Sequence, residues 1–330
     1  MITYTSIARC KTRILLVALI SFVYFLYDSF DANNDNLLSA KSLSVESNSN
    51  HTMAYIHTNS RWRFFDDSDI SFTHIPKCSG TSFIIEMKPK YSHQNCYHAM
   101  RNHAINTMNV VFLRSPRKHV KSQFSECYYD SWGKTVTKNT NFPRTDNVTN
   151  DYYTWIDHFI LQQKENIKGH EASFRCQDPR DTMARHLSCL WAPKPKANHA
   201  LDPPPDYDEA VVNLYDADFV GLTDFYHESI CMIRYRRERE LPAGCTCEDN
   251  LETITHAHIT HGVPQEQDTS RMPKHVQQKV DALVKIDTKL FLVALDRFIY
   301  DLEEVEQSSN AKILCDRSRL KLLHEEYQEI

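Results

Sequence analysis

Phe72-Thr73-His74-Ile75-Pro76-Lys77-Cys78-Ser79-Gly80-Thr81-Ser82-Phe83-Ile84-Ile85-Glu86 is the stretch whose reading decides the fold. An apolar run leads into Pro76, a glycine follows at Gly80, and apolar residues resume at Phe83. That pattern predicts a short strand, a tight turn and the start of a helix. The turn holds a lysine and three hydroxyls, on Ser79, Thr81 and Ser82. Backbone N–H groups at a helix N-terminus point outward, and the helix dipole adds roughly half a positive charge there, so such a turn receives phosphate. Lys77 supplies a mobile cation for negative charge that develops on a reacting group.

The order of residues is close to a Walker A loop but departs from it. That loop, G-x-x-x-x-G-K-[ST], carries its lysine late. Here Lys77 comes early and Gly80 is the single glycine. A second stretch, Asn109-Val110-Val111-Phe112-Leu113-Arg114-Ser115-Pro116-Arg117, predicts a buried parallel strand that ends in a basic turn. A helix is expected to follow through Lys118–Phe124. Arg114 leaves the carboxyl end of the strand, where ligands sit in open α/β sheets. Ser122, about two turns further on, is placed to point back to the same anion.

Pro76-Lys77-x-x-Gly80-Thr81-Ser82, followed by an apolar strand with Arg114 and Ser122 after it, resembles the two phosphate sites of sulfotransferases that use 3′-phosphoadenylyl sulfate. The chain is most similar to the Golgi membrane-bound carbohydrate sulfotransferases of the heparan sulfate 2-O and 6-O type. The likeness covers residues 70–130 and 215–300 and is weaker between them. It implies a three-layer parallel sheet flanked by helices, of the P-loop type. It implies that Lys77, Cys78, Ser79, Gly80, Thr81 and Ser82 hold the 5′-phosphosulfate of the donor, and that Arg114 and Ser122 hold its 3′-phosphate. A basic loop closes over the nucleotide in the family, which makes Arg271 and Lys274 candidates for that role. The acceptor it implies is a glycan. Lys77 would stabilise charge on the leaving phosphate, and the scheme calls for no metal.

Sulfuryl transfer needs a base for the acceptor hydroxyl proton. The segment between the two phosphate motifs holds His93, His98 and His103, and imidazole titrates near neutrality. The 2-O type places its base on a histidine in this segment. The 6-O type uses a histidine on the helix after the loop, where this chain has Glu86. Glu86 lies four residues past Ser82, so both share one helix face. His98, Glu86 and His103 stand as alternatives.

Outward from these motifs, Ile14–Tyr27 carries no charge and follows Arg9, Lys11 and Arg13. Its length suits the core of a cleaved signal peptide as well as a short span. Leu38-Ser39-Ala40 is a poor cleavage site, which favours an uncleaved signal anchor, and the positive flank puts the rest of the chain in the lumen. The expected organisation is a cytosolic tail over 1–13, an anchor over 14–30, a stem over 31–68, a catalytic domain over 69–305 and a charged tail over 306–330. The stem is rich in Asn, Ser and Asp. Asn50 and Asn147 begin glycosylation sequons. These features point to a single-pass type II membrane protein, and the resemblance implies the Golgi membrane.

The 330 residues are 41% hydrophobic, enough for one large core. A net charge of -5 argues against a generic nucleic-acid binder but leaves room for local basic patches. Asp178–Leu187 predicts a helix capped by Asp178 with Pro179 first. Arg185 on it would reach an acidic sugar or an internal carboxylate. Tyr152–Ile160 predicts an amphipathic helix whose aromatic residues face the core. Asp218–Asp224 predicts a late strand and turn, and Val280–Leu302 shows helical periodicity. Arg234, Arg236, Arg237 and Arg239 form either a solvated face or an electropositive rim. Nine cysteines follow the apolar run, so at least one has no partner within the chain. Cys78 suits that part, Cys176 with Cys189 is a candidate bridge, and Cys245 or Cys247 would join a distant partner. A lumenal setting favours bridges over zinc at Cys245 and Cys247.

Two rivals remain: a nucleotide-dependent kinase of the P-loop class, and a lumenal glycan-binding protein without catalysis. The kinase needs a glycine-rich loop with a late lysine, which this chain lacks.

Overall fold

A computed structural model describes residues 63–66, 68–93, 107–145, 147–165, 173–188, 204–249 and 272–328. The chain is α/β. Strands β1 (Asp69–Thr73), β2 (Tyr91–His93), β3 (Thr107–Leu113) and β4 (Phe219–Leu222) form one parallel sheet, flanked by helices, in the order β2-β1-β3-β4. Phe72 pairs with Val110, and Val110 with Phe219. All four residues of β4 and six of the seven in β3 are buried. A parallel strand covered on both faces has this continuous apolar character.

Helix α1 (Gly80–Met87) returns from β1 towards β2 at one edge. Phe83 anchors it, with ring centroids 4.5 Å from Phe72 and 5.2 Å from Phe112. Such aromatic pairs add about 0.5–1.5 kcal/mol each beyond their buried area. The chain then crosses to β3 on the other side of β1. Strand order therefore reverses between β1 and β3, and the crevice at their carboxyl ends is the topological switch point.

After β3 come α2 (Pro116–Tyr129), α3 (Ser131–Thr137) and α4 (Val148–Lys164). Phe124 of α2 meets Tyr152 and Trp155 of α4 in a second apolar cluster. The aromatic stripe of α4 is thus core, with Trp155 and Phe159 fully buried. Next follow α5 (Thr182–Leu187), α6 (Tyr207–Asp216) and, after β4, α7 (Tyr226–Glu238), α8 (Lys274–Leu283), α9 (Lys285–Ser309) and α10 (Ser318–Gln328).

Two helix boundaries differ from the sequence reading, for one shared reason. α5 starts at Thr182 and not at Pro179, because Asp178 is taken by Arg180, whose Nε and Nη2 donate to it at 2.9 and 2.7 Å. Asp287, a hundred residues on, caps α5 by accepting from the amides of Met183 and Ala184 at 3.1 and 2.8 Å. Asp181 returns the arrangement, accepting from the amides of Ile286 and Asp287 at 2.8 and 3.1 Å. That cap starts α9 and divides the 280–302 periodicity into two helices at Val284. Burial, with Asp181 close by, pushes the Asp287 carboxyl well above the usual range.

Disulfides join Cys127 to Cys176, Cys231 to Cys245 and Cys247 to Cys315. The proposed Cys176–Cys189 bridge is corrected, since Cys176 is bonded to the end of α2. Cys247 does take a distant partner, 68 residues away, whereas Cys245 pairs within 14. With both in bridges, neither is a metal ligand. Among the described residues Cys78 is the free cysteine, and it is buried.

The folded unit takes in segments that the sequence assigned to stem and tail. The Phe65 amide donates to the Arg236 carbonyl at 2.7 Å, and Phe65 is buried. At the other end Leu320, Leu323 and Tyr327 of α10 enter the main core. Arg236 is fully buried and donates to the Asp218 and Arg63 carbonyls, while Arg239 pairs with Asp66 and Arg234 approaches Glu86. Arg236 is thus committed to the interior, while Arg239 stays exposed in its pair with Asp66 and Arg234 is half-buried. The anchor over 14–30 lies outside the described residues; among those, no helix is long and apolar enough to cross a membrane.

Candidate active site

The β1–α1 turn opens into the switch-point crevice. Ile75 and Cys78 are buried beneath it, and the Cys78 amide donates to the Ile75 carbonyl at 3.2 Å. Burial raises the Cys78 thiol far above its ordinary pKa. Cys78 therefore serves the turn by packing, with its thiol towards the core. Ser79, Thr81 and Ser82 are half-buried. Lys77 and Ser79 both hold positive φ, 66° and 61°. Left-handed residues alternating with ordinary ones turn successive N–H groups to one side, a concave anion nest. Holding two non-glycine residues there costs of order 1–3 kcal/mol each, strain of the kind that clusters at ligand clamps. Gly80 is required for contact reasons. A Cβ there would lie 2.1 Å from the His74 imidazole, which stacks on Phe72.

Arg114 emerges from the end of β3, and its Nη1 donates to the Lys77 carbonyl at 3.2 Å. The two sequence motifs thus meet at one point. The turn after β3 is fixed by Asp224, the last residue of the Asp218–Asp224 stretch. Its carboxylate accepts from the Ser115 amide at 2.8 Å, the Ser115 hydroxyl at 2.9 Å and Lys118 Nζ at 2.7 Å. Burial alone would raise Asp224, but Lys118, Ser115 and Arg114 hold its carboxyl below the usual range. Ser122 lies on α2 and is largely buried, and its hydroxyl makes no hydrogen bond among the described residues.

His119, also on α2, donates Nε2–H to the Pro76 carbonyl at 2.8 Å and pins the turn from below. Burial drives its pKa down to about 3, so it is a neutral strut. His186 of α5 is likewise neutral, lowered to about 4 by burial, and donates Nδ1–H to the Thr182 carbonyl. Neither was singled out in the sequence. Histidines in the middle of helical patterns carry no signal of what lies across from them.

The residue that sequence reasoning missed with most consequence is Glu126. Its Oε1 lies 3.3 Å from Lys77 Nζ, and its Oε2 accepts from Gln177 Nε2 at 2.8 Å. Both side chains of the ion pair are mostly shielded, 17% exposed for Lys77 and 20% for Glu126. Glu86, by contrast, accepts from Tyr226 Oη at 3.1 Å and sits 3.6 Å from Arg234. That ties α1 to α7. Burial and the Glu86 charge push the Tyr226 phenol up.

The other candidates are dispersed. His98, His103 and Arg271 lie outside the described residues. Lys274 opens α8 and is exposed; no hydrogen bond or ion pair joins it to the 77–82 turn. Arg185 is buried and donates Nε–H to the Arg180 carbonyl at 3.2 Å, an internal role. No group of metal-ligating side chains occurs among the described residues.

The arrangement can hold one anion at α1's first amides and Lys77 and sets the Arg114 guanidinium beside them, with a carboxylate next to the lysine. No family model matches the chain, and no curated protein matches it.

Proposed function

We propose that the protein is a sulfotransferase that moves the sulfuryl group of 3′-phosphoadenylyl sulfate to a hydroxyl of a glycan. The observation that carries this reading is the 3.2 Å contact between Arg114 Nη1 and the Lys77 carbonyl, which joins two anion-binding elements at the switch point of a parallel sheet. A doubly phosphorylated nucleotide has the two ends such a pair would grip. The three disulfides add support, since they belong to an oxidising compartment. With the 14–30 run as anchor, the catalytic domain works in the Golgi lumen.

In this mechanism the 77–82 turn binds the 5′-phosphosulfate, and Arg114 with Ser122 binds the 3′-phosphate. Lys77 leaves Glu126 for the bridging oxygen between phosphate and sulfur. The acceptor oxygen bonds to sulfur as the sulfur–oxygen bond to phosphate breaks. Lys77 and the first amides of α1 take up the charge that arrives on the leaving phosphate, so catalysis is positioning and electrostatics. Glu126, relieved of its cation and steadied by Gln177, accepts the hydroxyl proton.

The test is transfer of labelled sulfate from the donor to a panel of desulfated polysaccharides. Incorporation into at least one polymer is expected, with none when ATP carrying a labelled γ-phosphate replaces the donor. Phosphate transfer without sulfate transfer would support the kinase instead. Polymer binding with neither transfer would leave a glycan-binding protein.

A further inference from the structure

α3 packs against the C-terminal end of α2, and the contact is close. A Cβ on Gly133 would lie 2.2 Å from the Glu126 carbonyl and 2.7 Å from Cys127 Cα. With that face fixed, the opposite one is displayed. Trp132, Thr135, Val136 and Asn139 recur at helical spacing and line a groove of about 460 Å³ together with Arg175. Trp132 is 48% exposed, unusual for a side chain of that size, and its amide is held by the Asp130 carboxylate at 2.7 Å.

Arg175 is positioned from the far side by a strained turn. Phe174 and Arg175 both hold positive φ, 54° and 61°. The Phe174 ring is anchored 4.1 Å from His158 and 5.5 Å from Phe142, and the next residue, Cys176, is bonded to Cys127. Two non-glycine residues in this region persist only where their surroundings over-determine them, which is a mark of ligand clamps. Arg175 is exposed on this rigid base, and Lys134 and Lys138 are exposed on α3. The groove therefore combines one flat aromatic face, short polar side chains and the Arg175 guanidinium, while Lys134 and Lys138 stand outside its lining. Its volume falls in the range of small-ligand sites, about 300–1,000 Å³.

The groove is linked to the candidate site through the chain, because Arg175 lies two residues before Gln177, which donates to Glu126. Glu126 faces Lys77, Cys127 faces Cys176, and Gln177 returns a hydrogen bond to Glu126. We infer that this groove is the subsite for an acidic sugar of the acceptor, with Trp132 stacking on the ring and Arg175 paired to a carboxylate or sulfate. The inference rests on the sulfotransferase reading for its link to transfer, but the binding itself is separate. An aromatic face beside a guanidinium matches an anionic oligosaccharide better than an apolar peptide helix, which would want a continuous apolar stripe.

Titrating the full chain with a chondroitin tetrasaccharide, which bears uronates, and with neutral cellotetraose tests this. The acidic tetrasaccharide should bind and weaken with salt, and the neutral one should bind much less. Trp132→Ala and Arg175→Gln should each weaken binding by about tenfold, the effect of losing one stacking or ionic contact. Stabilisation by adenosine 3′,5′-bisphosphate should be the same in both variants, which also shows that they fold. Equal affinity for the two sugars, unchanged binding in both variants, or capture of a protein partner in place of sugar overturns the subsite. Loss of the bisphosphate response in the unaltered protein, with sugar binding intact, counts against the sulfotransferase reading alone.

Discussion

Lys77→Ala is expected to lower sulfuryl transfer by at least two orders of magnitude and to leave the protein folded. Lys77 lies in a turn whose φ is already left-handed and whose carbonyl is held by Arg114, so the backbone does not depend on the ammonium. Its side chain makes one ion pair, with Glu126. Glu126 keeps its hydrogen bond from Gln177 when the lysine is removed. The stability cost should be about 1 kcal/mol, near the upper end for pairs that keep some solvent contact. The catalytic cost is much larger. Removing one preorganised donor from a developing oxyanion slows turnover by about 10²–10³-fold, and here the donor carries a full charge. Initial rates of labelled sulfate transfer, set beside a melting curve, separate the two effects. Turnover like that of the unaltered protein would take Lys77 out of the mechanism.

Glu126→Gln should lower transfer by about 10²–10⁴-fold, the range for loss of a positioned general base. The amide keeps an oxygen that can accept from Gln177, so the geometry survives. Donor binding should hold or tighten, because Lys77 no longer has a carboxylate competing with the donor's phosphate. That split, slow transfer with undiminished donor binding, distinguishes a base from a strut. Glu86 gives the contrast. Its carboxylate is engaged by Tyr226 and Arg234, so Glu86→Gln should act on melting more than on rate. If Glu126→Gln turns over normally while His98→Ala or His103→Ala does not, the base lies in the histidine segment between the phosphate motifs.

The strand–turn–helix of residues 69–87 was legible because its signals are local. A buried strand, a proline and a glycine follow one another within a dozen residues, and the helix resumes with Phe83. The same holds for β3 and β4, whose apolar runs have no alternative reading in so polar a chain. Fold class followed from the repetition of that unit. What remained hidden was set by contacts between distant residues. Asp287 caps α5 and Asp181 caps α9 across more than a hundred positions, so no window of sequence could place those helix ends. Cys127 is bonded to Cys176 because α4 brings the 173–177 turn against α2, and spacing alone does not carry that.

The candidate site was legible in half. Lys77 and Arg114 stood out because they follow apolar strands, where side chains have a known direction. Glu126 did not stand out, because a glutamate late in a helix next to Cys127 looks like any solvated position. Its meaning arises only when α2 lies beside the turn. Cys78 was legible as the unpaired cysteine, and the alternation of buried and half-buried residues through the turn sends its thiol inward.

The central claim is that the Lys77 turn and Arg114 hold opposite ends of one nucleotide. Thermal stability measured against adenosine 3′,5′-bisphosphate, each adenosine monophosphate and ATP tests it most directly. The account predicts that the bisphosphate stabilises far more than either monophosphate or ATP at equal concentration; a hundredfold excess over Kd adds about 2.7 kcal/mol. It predicts that Lys77→Ala reduces the bisphosphate response towards that of the 3′-monophosphate, and Arg114→Ala towards that of the 5′-monophosphate. Equal stabilisation by all four nucleotides, or none by the bisphosphate, would contradict it.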